Sequence, residues 1–97
     1  MVIGACILQL LLAENRSLKG KRQVIRSLST RLRTRFNLAV AEVEAHDVWS
    51  GAVLGLACVS NSSRHAQEVL EKAVRFAEDV RLDAEVVDYY IEVLQVE

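Results

Sequence analysis

The chain has 97 residues, of which 52% are hydrophobic and 26% charged, and its formal net charge is −1. A chain of this length forms one domain that buries roughly two thirds of its unfolded surface, and the apolar content excludes a disordered chain. No linker-like stretch or internal repeat divides the sequence, so residues 1–97 are expected to fold as a single domain.

The first predicted element is a strand over Val2–Leu12. This run is almost continuously apolar, with only Gln9 polar, which is typical of a central strand covered on both faces. A membrane-spanning helix needs about 20 apolar residues, so this run is too short to be one. A secretory signal has a basic region before its apolar stretch, and no such region precedes this run. We therefore expect a cytoplasmic protein that does not associate with membranes.

A helix is predicted over about residues 18–35, with Ser17 as its N-cap and Asn37 as its stop. Its core-facing residues at helical spacing are Leu18, Ile25, Leu28 and Leu32. Residues 16–35 also contain eight of the twelve basic side chains and none of the acidic ones, which leaves four basic and thirteen acidic residues elsewhere. Such separation of charge indicates a surface that meets a polyanion.

Residues 38–45 alternate in polarity and predict a half-exposed strand. One face would hold Val40, Glu42 and Glu44, and the other Ala39, Ala41 and Val43. A turn over 46–51 joins it to an apolar run at 52–60, which predicts a second central strand.

A second helix is predicted over about residues 64–80, with Asn61-Ser62-Ser63 as its cap. Its buried stripe would comprise Ala66, Val69, Leu70, Ala73, Val74 and Ala77. The last predicted element is a strand over 84–96, rich in Val, Tyr and Ile and interrupted by acidic residues.

The order strand, helix, strand, strand, helix, strand predicts an α+β, ferredoxin-like fold. Right-handed crossovers place both helices on one face of a four-stranded antiparallel sheet, with the first and third strands in the middle.

Since these two central strands are apolar on both sides, Ile7 and Leu11, or their neighbours, should point away from the helices. An uncovered apolar face predicts a homodimer, with Trp49, Tyr89 or Tyr90 at its rim. Trp49 could equally complete the core of the monomer.

The candidate polyanion-binding residues lie on the first helix and are Lys19, Lys21, Arg22, Arg26 and Arg33. Four of them, all except Lys21, fall within about 60° around the helix axis, and Arg31 and Arg35 flank them. Arginine binds phosphate with two hydrogen bonds, so the expected mode is salt-dependent contact with a phosphate backbone. Two alternatives stay open, namely an ordinary solvated helix face and pairing with an acidic surface of the chain or a partner.

Base stacking on the sheet is not expected. RNA-recognition modules of the same fold stack bases on aromatic residues of the two central strands, and the central strands here contain no Phe, Tyr or Trp.

No group of residues predicts catalysis, a metal site or a cofactor. Cys6 and Cys58 lie 52 positions apart within apolar runs and are expected in the core. His46 and His65 have no nucleophile or carboxylate at a recognisable catalytic spacing. Arg16 and Asn37 could be compared with the phosphate-binding arginine and the water-orienting asparagine of the acylphosphatases, but no Gly-rich loop surrounds Arg16. We therefore expect a binding protein rather than an enzyme, and a small phosphate-handling enzyme is the least favoured alternative.

Several short stretches of the sequence resemble the YlxP-like proteins, a bacterial family: Ser17-Leu18-Lys19-Gly20-Lys21-Arg22, Arg35-Phe36-Asn37, Ala41-Glu42-Val43, Asp47-Val48-Trp49 and Val59-Ser60-Asn61. The resemblance covers the whole chain and implies a ferredoxin-like fold. Because genes of this family often lie near those of translation factors, it also implies RNA or the ribosome as partner. The rival interpretation is a module that docks on an acidic protein. No catalytic residue is established in the family, so none is carried over.

The chain departs from the family pattern at Gly20, where the YlxP-like proteins usually have Glu three residues after the Ser cap. That Glu would complete a capping box with Ser17. Glycine inside the first turn costs about 0.5–1 kcal/mol relative to alanine, which implies a softer helix start.

Overall fold

The structure is a computed structural model that describes residues 1–13, 17–45, 51–80 and 83–97. Its elements in chain order are β1 (Val2–Leu12), α1 (Leu18–Phe36), β2 (Ala39–Ala45), β3 (Gly51–Ser60), α2 (Ser63–Asp79) and β4 (Ala84–Gln95). The strands form one antiparallel sheet in the order β2-β3-β1-β4. The predicted ferredoxin-like α+β fold is thus confirmed. The predicted turn with His46 and Trp49, and also Arg16, lie outside the described residues.

Alternate residues of the central strands lie on opposite faces of the sheet. In β1, Leu8 and Leu10 are buried beneath the helices, whereas Ile7 and Leu11 are 47% and 45% exposed on the other side. We call that second side, on which neither α1 nor α2 lies, the open face. Ile7 and Leu11 therefore point away from the helices, as the apolar pattern of β1 predicts.

The core lies between the sheet and the two helices. Its largest fully buried side chains are Leu8, Leu28, Leu32, Leu54, Leu56 and Leu70. Helix α2 approaches β1 closely at Gly4, where a Cβ atom would lie 2.9 Å from Leu70 Cδ1 and 3.2 Å from Ala66 Cβ. A glycine at this position thus allows Leu70 and Ala66 of α2 to pack directly on the strand.

Helix ends follow the predicted capping residues. The Ser17 hydroxyl accepts a hydrogen bond from the Gly20 N–H at 3.1 Å, and Asn37 ends α1 with a left-handed backbone at φ 53°. The Ser62 hydroxyl accepts from the His65 N–H at 3.2 Å and begins α2. The two helices are therefore set by the same local signals that mark them in the sequence.

The prediction that Leu18 faces the core is wrong. This side chain is 52% exposed, because it lies in the first turn of α1, ahead of the part of the helix that covers the sheet. The first buried residue of α1 is Val24.

The predicted alternation of β2 is also wrong beyond Glu42. The pairing of β2 with β3 shifts between Glu42 and Glu44, so that Glu44 pairs with Val53 of the open face. Val43 also lies on that face, because its Cγ1 is 2.8 Å from the position of a Cβ on Gly55. The extra residue is a β-bulge, which moves Glu44 to the face opposite Val40.

Candidate polyanion-binding surface

The charges of the protein are separated between its layers. Helix α1 carries seven basic residues and no acidic one, whereas the four strands carry five acidic residues, Glu42, Glu44, Glu85, Asp88 and Glu92, and no basic one. Helix α2 is mixed, with three basic and four acidic residues. Positive potential is therefore concentrated on the outer side of α1.

Three cations of α1 are exposed and without partners in the described part of the chain. Lys19, Arg26 and Arg31 make neither an ion pair nor a hydrogen bond there. Lys19 and Arg26 border one shallow groove of about 340 Å³, and Arg26 and Arg31 border the next, of about 350 Å³. Gln23 and Arg26 line both grooves, so the two form a continuous surface along α1.

The other predicted binding residues have contacts within the protein. Arg22 lies in the first groove with Lys19 and Arg26, but Arg22 and the half-buried Lys21 each interact with another group of the chain. Arg33 donates a hydrogen bond from Nη2 to the Val40 carbonyl oxygen at 2.8 Å. It therefore ties the C-terminal half of α1 to the edge strand β2.

Sequence reasoning missed a second group of cations where α1 meets α2. The guanidinium carbon of Arg35 lies 5.1 Å from the ring centroid of Phe76 and 5.8 Å from that of Phe36. A guanidinium held over aromatic rings keeps N–H groups at its edge for an anion. Lys72 and Arg75 of α2 line the same groove, of about 450 Å³, together with Asp79.

The signal for this second group is weak in the sequence. Lys72 and Arg75 stand among Glu71, Glu78 and Asp79, so the local charge of α2 looks balanced. Their grouping with Arg35 depends on the packing of two helices that are far apart in the chain.

We use the name basic path for the exposed cations that border these grooves without an ion pair in the described residues: Lys19, Arg26, Arg31, Arg35, Lys72 and Arg75. Lys19 and Arg35 are sixteen residues apart, which corresponds to about 24 Å along a helix axis at 1.5 Å per residue. At 100° per residue, Arg31 and Arg35 lie about 120° and 160° around the axis from Lys19, so a phosphate chain that follows the path has to wind around α1.

Cys6 does not add a nucleophile to this surface. Cys6 is buried, and burial raises the pKa of its thiol from 9.0 to about 11, although a backbone hydrogen bond from Tyr90 lowers it in part. At neutral pH Cys6 is therefore a protonated thiol, which is a poor nucleophile. Cys58 is a partly buried free thiol packed near Gly4.

Neither described helix is long and apolar enough to cross a membrane. Within the described ranges, no three His, Cys, Asp or Glu side chains are grouped so that they could hold a metal ion.

Comparison with known proteins relates the chain to a family. It is 29% identical over 75 residues to the uncharacterized protein YlxP of Bacillus subtilis (strain 168), an alignment that covers 77% of this chain and 82% of YlxP. The family model described as "Protein of unknown function (DUF503)" matches residues 3–91, which include both helices and the whole basic path. The chain therefore belongs to this family of YlxP-like proteins.

Proposed function

We propose that the protein binds RNA, free or in the ribosome, through contacts between the basic path and the phosphate backbone, and that it does so without catalysis. The observation that carries the proposal is the exposure of Lys19, Arg26 and Arg31 without partners in the described residues, on a helix that has no acidic side chain. Charge-assisted hydrogen bonds to phosphate are the strongest contacts that such a surface offers.

The arrangement of charge on α1 has a cost that a solvated helix face avoids. Arg31 and Arg35 are like charges four residues apart, and such a pair destabilises a helix by roughly 0.2–0.5 kcal/mol. Helix α2 shows the usual solution, since Arg64 pairs with Glu68 at 3.5 Å at the same spacing. The absence of carboxylates from α1 supports a role in which an external anion supplies the opposite charge.

The chemistry of the path favours recognition of phosphates over recognition of bases. Its members are Arg and Lys, the two aromatic rings at its end are covered by Arg35, and β1 and β3 carry no aromatic residue. Such contacts fix a nucleic acid on the surface and carry no sequence information. RNA rather than DNA is proposed because the resemblance to the YlxP-like proteins implies a link to translation.

A matched pair of substitutions tests this proposal. Arg26→Glu and Arg64→Glu make the same change in net charge at exposed helix positions, but only Arg26 belongs to the basic path. Measured by fluorescence anisotropy with a labelled RNA duplex, Arg26→Glu should weaken binding by roughly 10- to 140-fold, since a charge-assisted contact contributes about 1.5–3 kcal/mol and each 1.4 kcal/mol is tenfold. Arg64→Glu should change the affinity by less than about threefold, the size of a small rim effect.

Three results would remove the proposal. Equal losses in the two variants would show that net charge, and not the path, determines binding. A clear preference for duplex DNA of the same sequence would contradict the assignment to RNA. If the wild type shows no saturable RNA binding, docking on an acidic protein replaces RNA binding as the interpretation of the path.

A further inference from the structure

The open face of the sheet is apolar over most of its length and is not covered by either helix. Six of its large side chains are between 44% and 70% exposed: Ile7, Leu11, Val43, Val59, Tyr90 and Leu94. Ile7 pairs with Gly55 on one side and with Tyr90 on the other, so the apolar surface is continuous from β3 to β4. Monomeric proteins rarely expose an apolar patch of this extent.

The area of the open face is close to what a stable dimer requires. Strands β1 and β3 have eleven and ten residues. At about 3.3 Å per residue and about 4.8 Å between strands, four strands present a flat area of roughly 600 Å². A standard interface buries about 800 Å² of accessible surface per partner. Because side chains protrude from the sheet, the accessible surface of the open face is larger than its flat area.

The shape of the open face also suits a second sheet. Small residues occupy neighbouring positions on three strands, where Ala57 pairs with Ala5 on one side and with Ala39 on the other. Larger side chains such as Val59 and Leu94 lie beside these small positions. Two sheets that pack face to face about 10 Å apart interlock large side chains of one face with small positions of the other.

The acidic residues of the open face lie on its edge strands. Glu44 is on β2, and Glu85, Asp88 and Glu92 are on β4. Charges at the rim of an interface stay solvated while the apolar centre is buried. Both copies of a dimer would carry this acidic rim, so salt should screen a repulsion between them.

We infer that two copies of the chain pair through their open faces, so that the dimer carries two basic paths on opposite outer sides. The layers would then follow the order helices, sheet, sheet, helices, and α1 of each copy would stay accessible. The dimer would then join two RNA segments, one on each side. This step, unlike the pairing itself, rests on the proposed RNA binding. The two sites of the dimer would act together on any RNA that can reach both.

The oligomeric state tests the pairing without reference to RNA. Sedimentation equilibrium of the full chain should give twice the chain mass of 10.8 kDa, and the dimer should be as tight or tighter when NaCl rises from about 0.15 M to about 0.5 M, because its rim charges repel. A single-chain mass at about 100 μM under both conditions, well above the Kd of a standard interface, would overturn the inference.

Neighbouring tyrosines on β4 provide a matched pair of variants. Tyr90 pairs with Ile7 on the open face, whereas Tyr89 pairs with the buried Leu8 and lies on the other side of the sheet, and both rings are about half exposed. Tyr90→Glu should raise the Kd of the dimer by at least about tenfold, since interface tyrosines are frequent hot spots, and Tyr89→Glu should leave it within about twofold. Ile7→Glu provides a second interface variant, with circular dichroism to verify its fold. Equal effects of the two tyrosine variants would contradict the inference, as would a dimer that survives both Tyr90→Glu and Ile7→Glu.

A bridging assay then separates the pairing from RNA binding. One RNA duplex is fixed to beads, and capture of a second, fluorescent duplex is measured with wild type and Tyr90→Glu. At a protein concentration equal to the dimer Kd of wild type, wild type should capture the second duplex, and Tyr90→Glu should bind the beads but lose at least about two thirds of the capture, because one binding site cannot link two duplexes. A dimer that binds no RNA would contradict only the proposed function, whereas a monomer that binds RNA would contradict only the pairing.

Discussion

Replacing Lys19, Arg26 and Arg31 together with glutamate is expected to lower the affinity for duplex RNA by about a thousandfold, since each lost phosphate contact of about 1.4 kcal/mol is a factor of ten. All three side chains are exposed and without partners in the described residues. They can therefore contact a ligand, and their replacement removes no hydrogen bond or ion pair among the described residues. Surface changes of this kind alter the free energy of unfolding by about 0.5 kcal/mol or less. Fluorescence anisotropy measures the affinity, and thermal unfolding verifies that the variant is folded.

The control for this variant keeps the charge and changes the chemistry of the head groups. Lys19→Arg, Arg26→Lys and Arg31→Lys together should stay within about fivefold of the wild-type affinity, because lysine still contacts phosphate as a point charge. A charge-conserving variant that binds as poorly as the glutamate variant would show that binding does not depend on the charge of the path.

Leu70→Ala is expected to lower the free energy of unfolding by about 3–5 kcal/mol. The side chain of Leu70 is fully buried, and its Cδ1 lies where α2 approaches Gly4 of β1. Its neighbours at the α2 surface, Ala66 and Ala73, are too small to fill the space, so a cavity would remain. Since a domain has a total stability of about 5–15 kcal/mol, this variant should be marginally folded. Urea unfolding followed by circular dichroism measures the change.

The adjacent residue provides the comparison for this prediction. Val69 is only partly buried at the edge of the same core. Val69→Ala should therefore cost about 1 kcal/mol or less, which is typical of an average single substitution. If Leu70→Ala costs no more than Val69→Ala, the packing of α2 on β1 is not the main source of core stability.

The fold was predictable because local signals and long-range patterns agree in this sequence. The apolar run of β1 and the serines at positions 17 and 62 mark elements whose observed bounds differ by no more than one residue from those expected. Strand irregularities were not predictable. The bulges near Val43 and Val87 shift the pairing by one residue, and an alternating sequence does not reveal which residue is extra.

The location of the candidate site was predictable from the sequence, but the residues that form it were not. A block of basic residues on one helix places the surface. Which cations are available depends on tertiary contacts, because Arg33 is held by the carbonyl of an edge strand and Arg35 by the ring of Phe76, 41 residues further along the chain. Likewise, only the register of β4 distinguishes Tyr90 on the open face from Tyr89 on the other.

The salt dependence of RNA binding tests the central claim most directly. Affinity should be measured for wild type and Arg26→Gln over a range of NaCl concentrations. If four to six cations of the basic path neutralise phosphates, the slope of log K against log[NaCl] should lie between about −3.5 and −5.5 for wild type, and it should be shallower by about one for Arg26→Gln. A wild-type slope near zero, or the same slope for both proteins, would contradict the claim that Arg26 and its neighbours bind the RNA backbone.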